Sequence, residues 1–232
     1  LVNCYHIMWS DAFYLAPLVI MGVDKLVKNQ KIWFYCLFLV LAIYFNFYTG
    51  YMLGVFSILY FIYLMVIKGE LDKQLIKKFV LAILCVLLLT AIVTVPTGLA
   101  IFNGKGINDA NYLSFNISNL FSFFYNLLPG SFELSDVYNE GTAVVGATIF
   151  CLALVVLYFF NKKFSKKERI ATLCFLLFFL LSISFNLIDC FWHMFSKPIW
   201  WNNRYTFLFI LLMILIAHKS FINIDGLHLK AK

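Results

Sequence analysis

The sequence predicts an all-α protein, a polytopic bundle of about seven transmembrane helices. Hydrophobic residues make up 63% of the 232-residue chain and charged residues only 12%, whereas about a quarter of a soluble domain is charged. The apolar residues come in blocks that approach the roughly 17–25 residues needed to cross a bilayer. The basic residues lie in every second connection between these blocks. Together these observations favour a membrane protein over a soluble enzyme or binding domain.

The individual spans are predicted from apolar runs that end at charged residues. They cover residues 9–27, 32–47, 51–67, 79–101, 142–160, 170–187 and 205–218. Several are short for a membrane helix, so tilting or local thinning of the bilayer is expected. We treat residues 1–232 as a single transmembrane domain. Because the chain starts without Met or a basic signal region and stops soon after a span, we expect it to be an internal piece of a longer protein.

Lys and Arg in the short connections predict the orientation of the chain. Of the 18 basic residues, 15 lie in the connections 25–31, 68–78 and 162–169 and in the end 219–232. Only three lie in the alternate set. The positive-inside rule therefore places the N-terminus outside and the C-terminus in the cytoplasm. Orientation also accounts for the net charge of +7. Since the basic residues form no continuous face, nucleic acid is not predicted as a partner.

The longest predicted external connection covers residues 102–141 and is net acidic. Within it, residues 120–128 are apolar and aromatic and end at Pro129-Gly130. This stretch predicts a short helix that lies in the outer interface or re-enters among the spans. A loop of this length with its own element is more often functional than a simple spacer.

Two polar sites at the predicted outer surface are candidates for ligand contact. Asp11 stands where the first span begins, so it is predicted either to cap that helix or to point into an external cavity. Asn46 and Tyr48 lie in the connection Asn46-Phe47-Tyr48-Thr49-Gly50. That connection is either a tight hairpin between spans, with Gly50 relieving backbone strain, or part of a binding site.

The segment 192–205 collects cations on the side that otherwise has few. It holds His193, Lys197 and Arg204 among several aromatic residues. Guanidinium groups form paired hydrogen bonds with phosphate, and Trp tolerates the interface. The pattern favours binding of an anionic headgroup. The alternative is an aromatic belt whose cations only touch lipid.

Signatures of soluble enzymes and metal sites are missing from the sequence. It has no HExxH, GxSxG or DxD motif. Residues 98–106 have the wrong spacing for a phosphate-binding loop, which also needs Ser or Thr after its Lys. Acidic residues at the predicted outer face leave a divalent cation open, but their spacing is not diagnostic and no metal ligand is predicted. These residues are Asp11, Asp109, Glu133, Asp136, Glu140 and Asp189.

Four short motifs resemble those of the bacterial YfhO family of membrane proteins, in the same order and over nearly the whole chain. They are Trp9-Ser10-Asp11-Ala12 followed by Leu15-Ala16-Pro17-Leu18, then Asn46-Phe47-Tyr48-Thr49-Gly50-Tyr51-Met52, then Leu128-Pro129-Gly130-Ser131-Phe132, and finally Trp192-His193-Met194-Phe195-Ser196-Lys197-Pro198 with Arg204-Tyr205. Glu133 matches the acidic residue that usually follows the third motif. Residues 137–146 match the family poorly.

The resemblance implies a glycosyltransferase of the GT-C type in the plasma membrane of a Gram-positive bacterium. Such an enzyme takes a sugar from a polyprenyl-phosphate carrier and transfers it to teichoic or lipoteichoic acid at the external face. Arg204, His193 and Lys197 would bind the lipid phosphate. Asp11, together with Asn46 or Tyr48, would contact the sugar or acceptor. The usual catalytic acid of GT-C enzymes would lie upstream of Leu1, so the catalytic residue is unknown.

Two other functions stay open at this point. One is a transporter or flippase of a lipid-linked sugar, although transporters tend to place ionisable groups near the bilayer midplane. Here the charged residues lie mainly at the predicted membrane edges, which favours an interfacial enzyme. The other is a non-catalytic membrane partner of a glycosylation system.

Overall fold

The protein is all-helical, as predicted, in a computed structural model that describes residues 10–28, 31–69, 72–104, 115, 117–125, 149–195 and 203–226. Ten α-helices are seen within these ranges. The β-type pairing found there is a single isolated bridge between Phe115 and Phe185. The chain divides into two compact units. The N-terminal unit comprises residues 1–110 and 190–197, and the C-terminal unit comprises residues 111–189 and 198–232.

Five helices form most of the N-terminal unit. They are α1 (Ser10–Val27), α2 (Trp33–Phe45), α3 (Phe47–Lys68), α4 (Lys73–Leu89) and α5 (Ala91–Gly104). The first two pack closely because α1 carries Gly22 at their contact. A Cβ built on Gly22 would lie 2.7 Å from the Tyr35 Cα atom of α2, so only hydrogen fits there. The Tyr35 hydroxyl is hydrogen-bonded to Ser57 of α3 at 2.9 Å, which satisfies both buried groups.

The predicted turn at residues 46–50 is shorter in the structure. Helix α2 ends at Phe45 and α3 starts at Phe47, so Asn46 alone connects them. The Asn46 side chain accepts hydrogen bonds from the Tyr48 and Thr49 backbone N–H groups at 3.0 and 3.3 Å, which caps α3. A Cβ on Gly50 would lie 2.7 Å from the Ile43 Cα atom. Gly50 therefore permits close packing of α2 and α3, and does not relieve a turn.

The predicted span 79–101 is divided between α4 and α5, which are bent by 80° at a break. The Thr90 side chain at that break is buried and donates to the Val86 carbonyl at 2.8 Å. The Tyr44 hydroxyl of α2 donates to the Leu89 carbonyl at 2.7 Å. Because a broken helix leaves carbonyl groups without their intrahelical partner, this side-chain contact helps to stabilise the bend.

Five further helices follow. They are α6 (Ile117–Tyr125), α7 (Ile149–Phe160), α8 (Lys166–Ser184), α9 (Asn186–Trp192) and α10 (Thr206–Ile222). The short helix predicted at 120–128 is confirmed as α6. Its Phe123 is 2% exposed and stacks on Phe209 of α10, and Phe209 stacks on Phe179 of α8, with ring centroids 5.2 and 5.1 Å apart. This aromatic stack forms the core of the C-terminal unit.

At the other end of the C-terminal unit, a polar network joins α7, α8 and α10. The Tyr158 hydroxyl donates to the Glu168 carboxylate at 3.1 Å and is hydrogen-bonded to Thr172 at 3.1 Å. Lys219 pairs with the same carboxylate, which is largely buried. A buried carboxylate needs such partners to offset its desolvation. The network therefore fixes the predicted cytoplasmic ends of these helices.

Helix lengths support membrane insertion for part of the chain. Helix α3 is long and apolar enough to cross a bilayer, and α4 and α5 meet the same criterion when taken together. Three more apolar helices have 10–17 residues, namely α2, α7 and α10. Helices α1 and α8 carry charged residues near their ends, such as Asp24 and Glu168. The arrangement of seven spans, with its orientation, stays a prediction.

Candidate functional site

The residues of the predicted anion-binding segment that the structure describes are 192–195 and 203–205. Three of them have left-handed backbone conformations, Met194 and Phe195 with φ of 57° and Asn203 with φ of 60°. Residues other than glycine in this region cost of order 1–3 kcal/mol each and tend to cluster at functional sites. The backbone geometry therefore supports the segment as a candidate site.

In the N-terminal unit, the structure brings together two residues that the sequence singled out separately. The rings of Tyr48 and His193 lie 5.8 Å apart between centroids, and the His193 side chain is fully buried. The Tyr51 hydroxyl donates to the Phe191 carbonyl at 2.9 Å, which ties α3 to the end of α9. The His193 and Phe195 backbone N–H groups both donate to the Cys190 carbonyl, at 2.9 and 2.8 Å. Tyr48 and His193 thus belong to one ordered cluster.

In the C-terminal unit, Arg204 belongs to a cluster of buried polar residues. Asp189 is 8% exposed, Asn203 2% and Tyr205 0%, while Arg204 itself is half-buried. The Asn203 backbone N–H donates to Asp189 Oδ1 at 3.3 Å. The Tyr205 hydroxyl donates to Asn203 Oδ1 at 2.9 Å and is also within hydrogen-bonding reach of the Asp189 carboxyl. Asp189 is therefore held by the two residues that flank Arg204 in the chain. We call these four residues the Asp189 cluster.

The Asp189 carboxyl, which lies outside the predicted spans, has unusual electrostatics. Burial raises its pKa from 3.8 to about 7. The Asn203 N–H, the positive charge of Arg204 and the Tyr205 hydroxyl act in the opposite direction, because each favours the ionised form. A carboxyl that titrates near neutral pH in a polar cluster is typical of functional sites.

The sequence did not predict this cluster. Asp189 stood only among the acidic residues that leave a divalent cation open, Tyr205 only at the end of the fourth family motif, and Asn203 was not a candidate. The available signal was weak, since Asp189 and Asn203 are 14 residues apart and each is an ordinary residue for a membrane edge. Their contact joins α9 to the residues just before α10, and residue order alone does not reveal it.

The remaining predicted site residues are placed only in part. Asp11 lies in the first turn of α1, which begins at Ser10. Its Oδ1 atom is buried and has no hydrogen-bond partner. This oxygen therefore does not cap the helix. Asn46 caps α3, so its side-chain oxygen has a structural role. Lys197 lies outside the described residues.

Metal ligands are not grouped in the described part of the chain. No set of three or more His, Cys, Asp or Glu side chains within it is placed to hold an ion. Four of the acidic residues considered in the sequence lie outside this part, namely Asp109, Glu133, Asp136 and Glu140.

The helical architecture and the apolar helices fit a membrane protein, and the polar cluster at a helix end is a candidate binding site. Comparison with known families makes the assignment specific. The chain belongs to the family described as "Bacterial membrane protein YfhO", whose sequence profile matches residues 1–230. The resemblance inferred from the four motifs is confirmed by this match. The family is associated with glycosyltransferase-like activity. No curated protein and no solved structure matches the chain.

Proposed function

We propose that this protein is a multi-pass GT-C glycosyltransferase of the bacterial plasma membrane. It transfers a sugar from a polyprenyl-phosphate carrier to a teichoic-acid-type polymer at the external face. The observation that carries the proposal is the family match over residues 1–230. The alternation of basic and non-basic connections supports it, since it puts residues 188–204 on the external side.

The transfer consists of one displacement at the anomeric carbon of the sugar. The acceptor hydroxyl oxygen forms a bond to that carbon while the bond from the carbon to the carrier phosphate oxygen breaks. The acceptor proton goes to a general base, and the phosphate leaves with the bonding electron pair. Stabilisation of the developing negative charge is therefore a major requirement. A carboxylate would be the base, as the resemblance implies.

Cationic and polar residues of this chain have proposed roles in that reaction. Arg204 binds the phosphate, since guanidinium forms paired hydrogen bonds with phosphate oxygens. The family resemblance assigns a phosphate-binding role to His193 and Lys197 as well. Asp11 and Tyr48 contact the sugar or acceptor. The Tyr48 and His193 rings lie 5.8 Å apart between centroids, so these two residues belong to the same part of the N-terminal unit. Asn46 has a more indirect role, because its side chain caps α3.

A transport function is the second candidate, and the break between α4 and α5 favours it. Discontinuous helices that bend within the membrane line the substrate sites of many transporters. In the described part of the chain, however, no ionisable side chain lies within two residues of the break at Thr90. The bend by itself therefore supports a flippase of lipid-linked sugar less well than the family supports an enzyme.

The test uses the full-length protein in proteoliposomes with a labelled polyprenyl-phosphate sugar and crude teichoic acid. We expect label to reach the polymer with the wild type and to be lost with Arg204→Ala and with His193→Ala. Lys162→Ala is a matched control, because it removes one exposed cation from a connection predicted to be cytoplasmic. Full transfer by Arg204→Ala would refute the phosphate role. Label that crosses the bilayer without reaching any acceptor would replace the enzyme by a flippase.

A further inference from the structure

Asn203 combines an unfavourable backbone conformation with a buried side chain. Its backbone is left-handed, with φ of 60°, and its side chain is 2% exposed. Asn tolerates this region better than most residues, but the conformation still costs free energy. A strained residue is retained where its side chain has a defined use. The question is what the Asn203 amide binds.

All but one of the polar groups of Asn203 near Asp189 have a hydrogen-bond partner. The backbone N–H donates to Asp189 Oδ1, and Oδ1 accepts from the Tyr205 hydroxyl. The side-chain Nδ2 is buried and has no hydrogen-bond partner. Leaving such a donor unsatisfied costs about 1–3 kcal/mol. A native protein keeps this kind of group when it awaits a ligand, an ion or a water.

The Tyr205 hydroxyl has one proton and two neighbouring acceptors, Asn203 Oδ1 and the Asp189 carboxyl. One proton cannot satisfy both fully. The conflict disappears when Asp189 is protonated. The carboxyl then donates to the Tyr205 oxygen, and the Tyr205 hydroxyl donates to Asn203 Oδ1. In this chain of hydrogen bonds Asn203 Oδ1 is occupied, so the amide presents Nδ2 as its unused donor.

We propose that Asn203 is a further ligand-binding residue, whose Nδ2 donates to an oxygen of the same lipid-linked phosphate that Arg204 binds. Asp189 and Tyr205 are positioning residues, because they hold the backbone and the amide oxygen of Asn203. The inference rests on the proposed function, since it assumes the phosphate site at Arg204.

The chemistry of Asn203 and Arg204 favours an anionic ligand, such as the phosphate of the proposed donor, over a neutral one. An amide N–H and a guanidinium are both donors, and both are adjacent in the chain. Two donors match the acceptor-only oxygens of a phosphate. A protonated Asp189 also removes the negative charge that would repel an anion. Among the described residues, the charge of Arg204 and the hydroxyl of Tyr205 act on Asp189.

The experiment measures binding of polyprenyl monophosphate to the full-length protein in nanodiscs of zwitterionic lipid, with polyprenol as the control ligand. Asn203→Asp keeps the size and the oxygen acceptor but removes the donor. Asn203→Gly removes the amide and fits φ of 60° without strain. Asn223→Asp makes the same amide-to-acid change elsewhere in the C-terminal unit, where the amide only bonds the Lys219 carbonyl.

We expect Asn203→Asp to weaken binding about 10- to 100-fold, as for loss of a hydrogen bond to a charged group. Asn203→Gly should weaken it less, because it introduces no negative charge, and Asn223→Asp should bind like the wild type. If Asn203 had only a structural role, Asn203→Asp, which preserves the side-chain shape, should bind polyprenyl monophosphate more tightly than Asn203→Gly. Binding of Asn203→Asp and Asn203→Gly within twofold of the wild type, with Arg204→Ala still defective, overturns this inference and leaves the proposed function intact.

Two further arms separate the sources of phosphate and test the positioning residues. Equal binding of polyprenol, or no saturable binding by the wild type, removes the phosphate site and overturns both proposals. Anionic phospholipid in the nanodiscs tests whether other headgroups compete for the site. If it lowers the affinity of the wild type for polyprenyl monophosphate to that of Asn203→Asp, the site binds phospholipid headgroups. The affinity of the wild type for polyprenyl monophosphate, divided by that of Asp189→Asn, should fall as pH rises through about 7, because ionised Asp189 repels the phosphate. A ratio that does not change with pH contradicts the role of Asp189.

Discussion

Replacement of the buried Asp189 by Asn should change how the free energy of unfolding depends on pH. The Asp189 carboxyl is 8% exposed, and burial raises its pKa from 3.8 to about 7. Ionisation therefore costs more in the folded protein than in the unfolded chain. Asn resembles the protonated carboxyl in shape and hydrogen-bonding capacity, but it has no charge at any pH.

The direction and size of the effect follow from the two pKa values. Because the folded pKa lies above the unfolded one, the contribution of Asp189 to stability is fully present below about pH 4 and is lost as pH rises to about 7. A rise from 3.8 to about 7 corresponds to about 4 kcal/mol. Asp189→Asn should therefore match the wild type near pH 4 and be more stable by a few kcal/mol at pH 8.

Thermal unfolding of the full-length protein in nanodiscs, followed by circular dichroism between pH 5 and 8, measures this difference. Asp225→Asn is the control. The ion pair with Lys163 holds the pKa of Asp225 below its ordinary value, so its contribution is constant over this range. Parallel melting curves of wild type and Asp189→Asn from pH 5 to 8 would refute the reasoning. A melting temperature of the wild type that rises relative to that of Asp189→Asn as the pH increases would also refute the reasoning.

Three other predictions concern packing, capping and surface charge. Gly50→Ala should destabilise the N-terminal unit by about 1–3 kcal/mol, measured by thermal unfolding, since the new Cβ would lie 2.7 Å from the Ile43 Cα atom; an unchanged melting temperature would contradict the close packing. Asn46→Ala should cost about 1 kcal/mol through loss of the α3 cap, and Asn46→Asp, which keeps the acceptor, should restore it. Lys163→Ala should leave the melting temperature unchanged in physiological salt, because its ion pair with Asp225 is exposed and such pairs contribute little.

Much of the helical architecture could be predicted from the sequence, because it depends on local features. Apolar runs between charged residues predicted the positions of α1, α2 and α10 to within a few residues. The apolar and aromatic run at residues 120–128 predicted a helix in the long connection, and α6 (Ile117–Tyr125) overlaps it. In each case the signal is the composition of a single stretch, which the backbone obeys without help from distant residues.

Local features do not predict the division of residues 79–101 or the one-residue connection at Asn46. The break between α4 and α5 falls at Thr90, whereas the proline of this region is Pro96, six residues further on. The contact that supports the break comes from Tyr44 of another helix. At Asn46, the sequence Asn-Phe-Tyr-Thr-Gly looked like a turn because Gly50 was taken as a flexible residue. In the structure Gly50 is helical and provides room for α2.

The amino-acid sequence by itself therefore determined the helical class, the apolar helices, the basic connections and the family. These follow from residue type and spacing along one stretch of chain. Only the tertiary structure decided which polar residues meet. Tyr48 and His193 are far apart in sequence, and the Asp189 cluster forms between two helices that are separated by the connection after α9. The conformation of Asn203 and the pKa of Asp189 depend on burial by neighbouring helices, and burial is a property of the packed molecule that no single segment encodes.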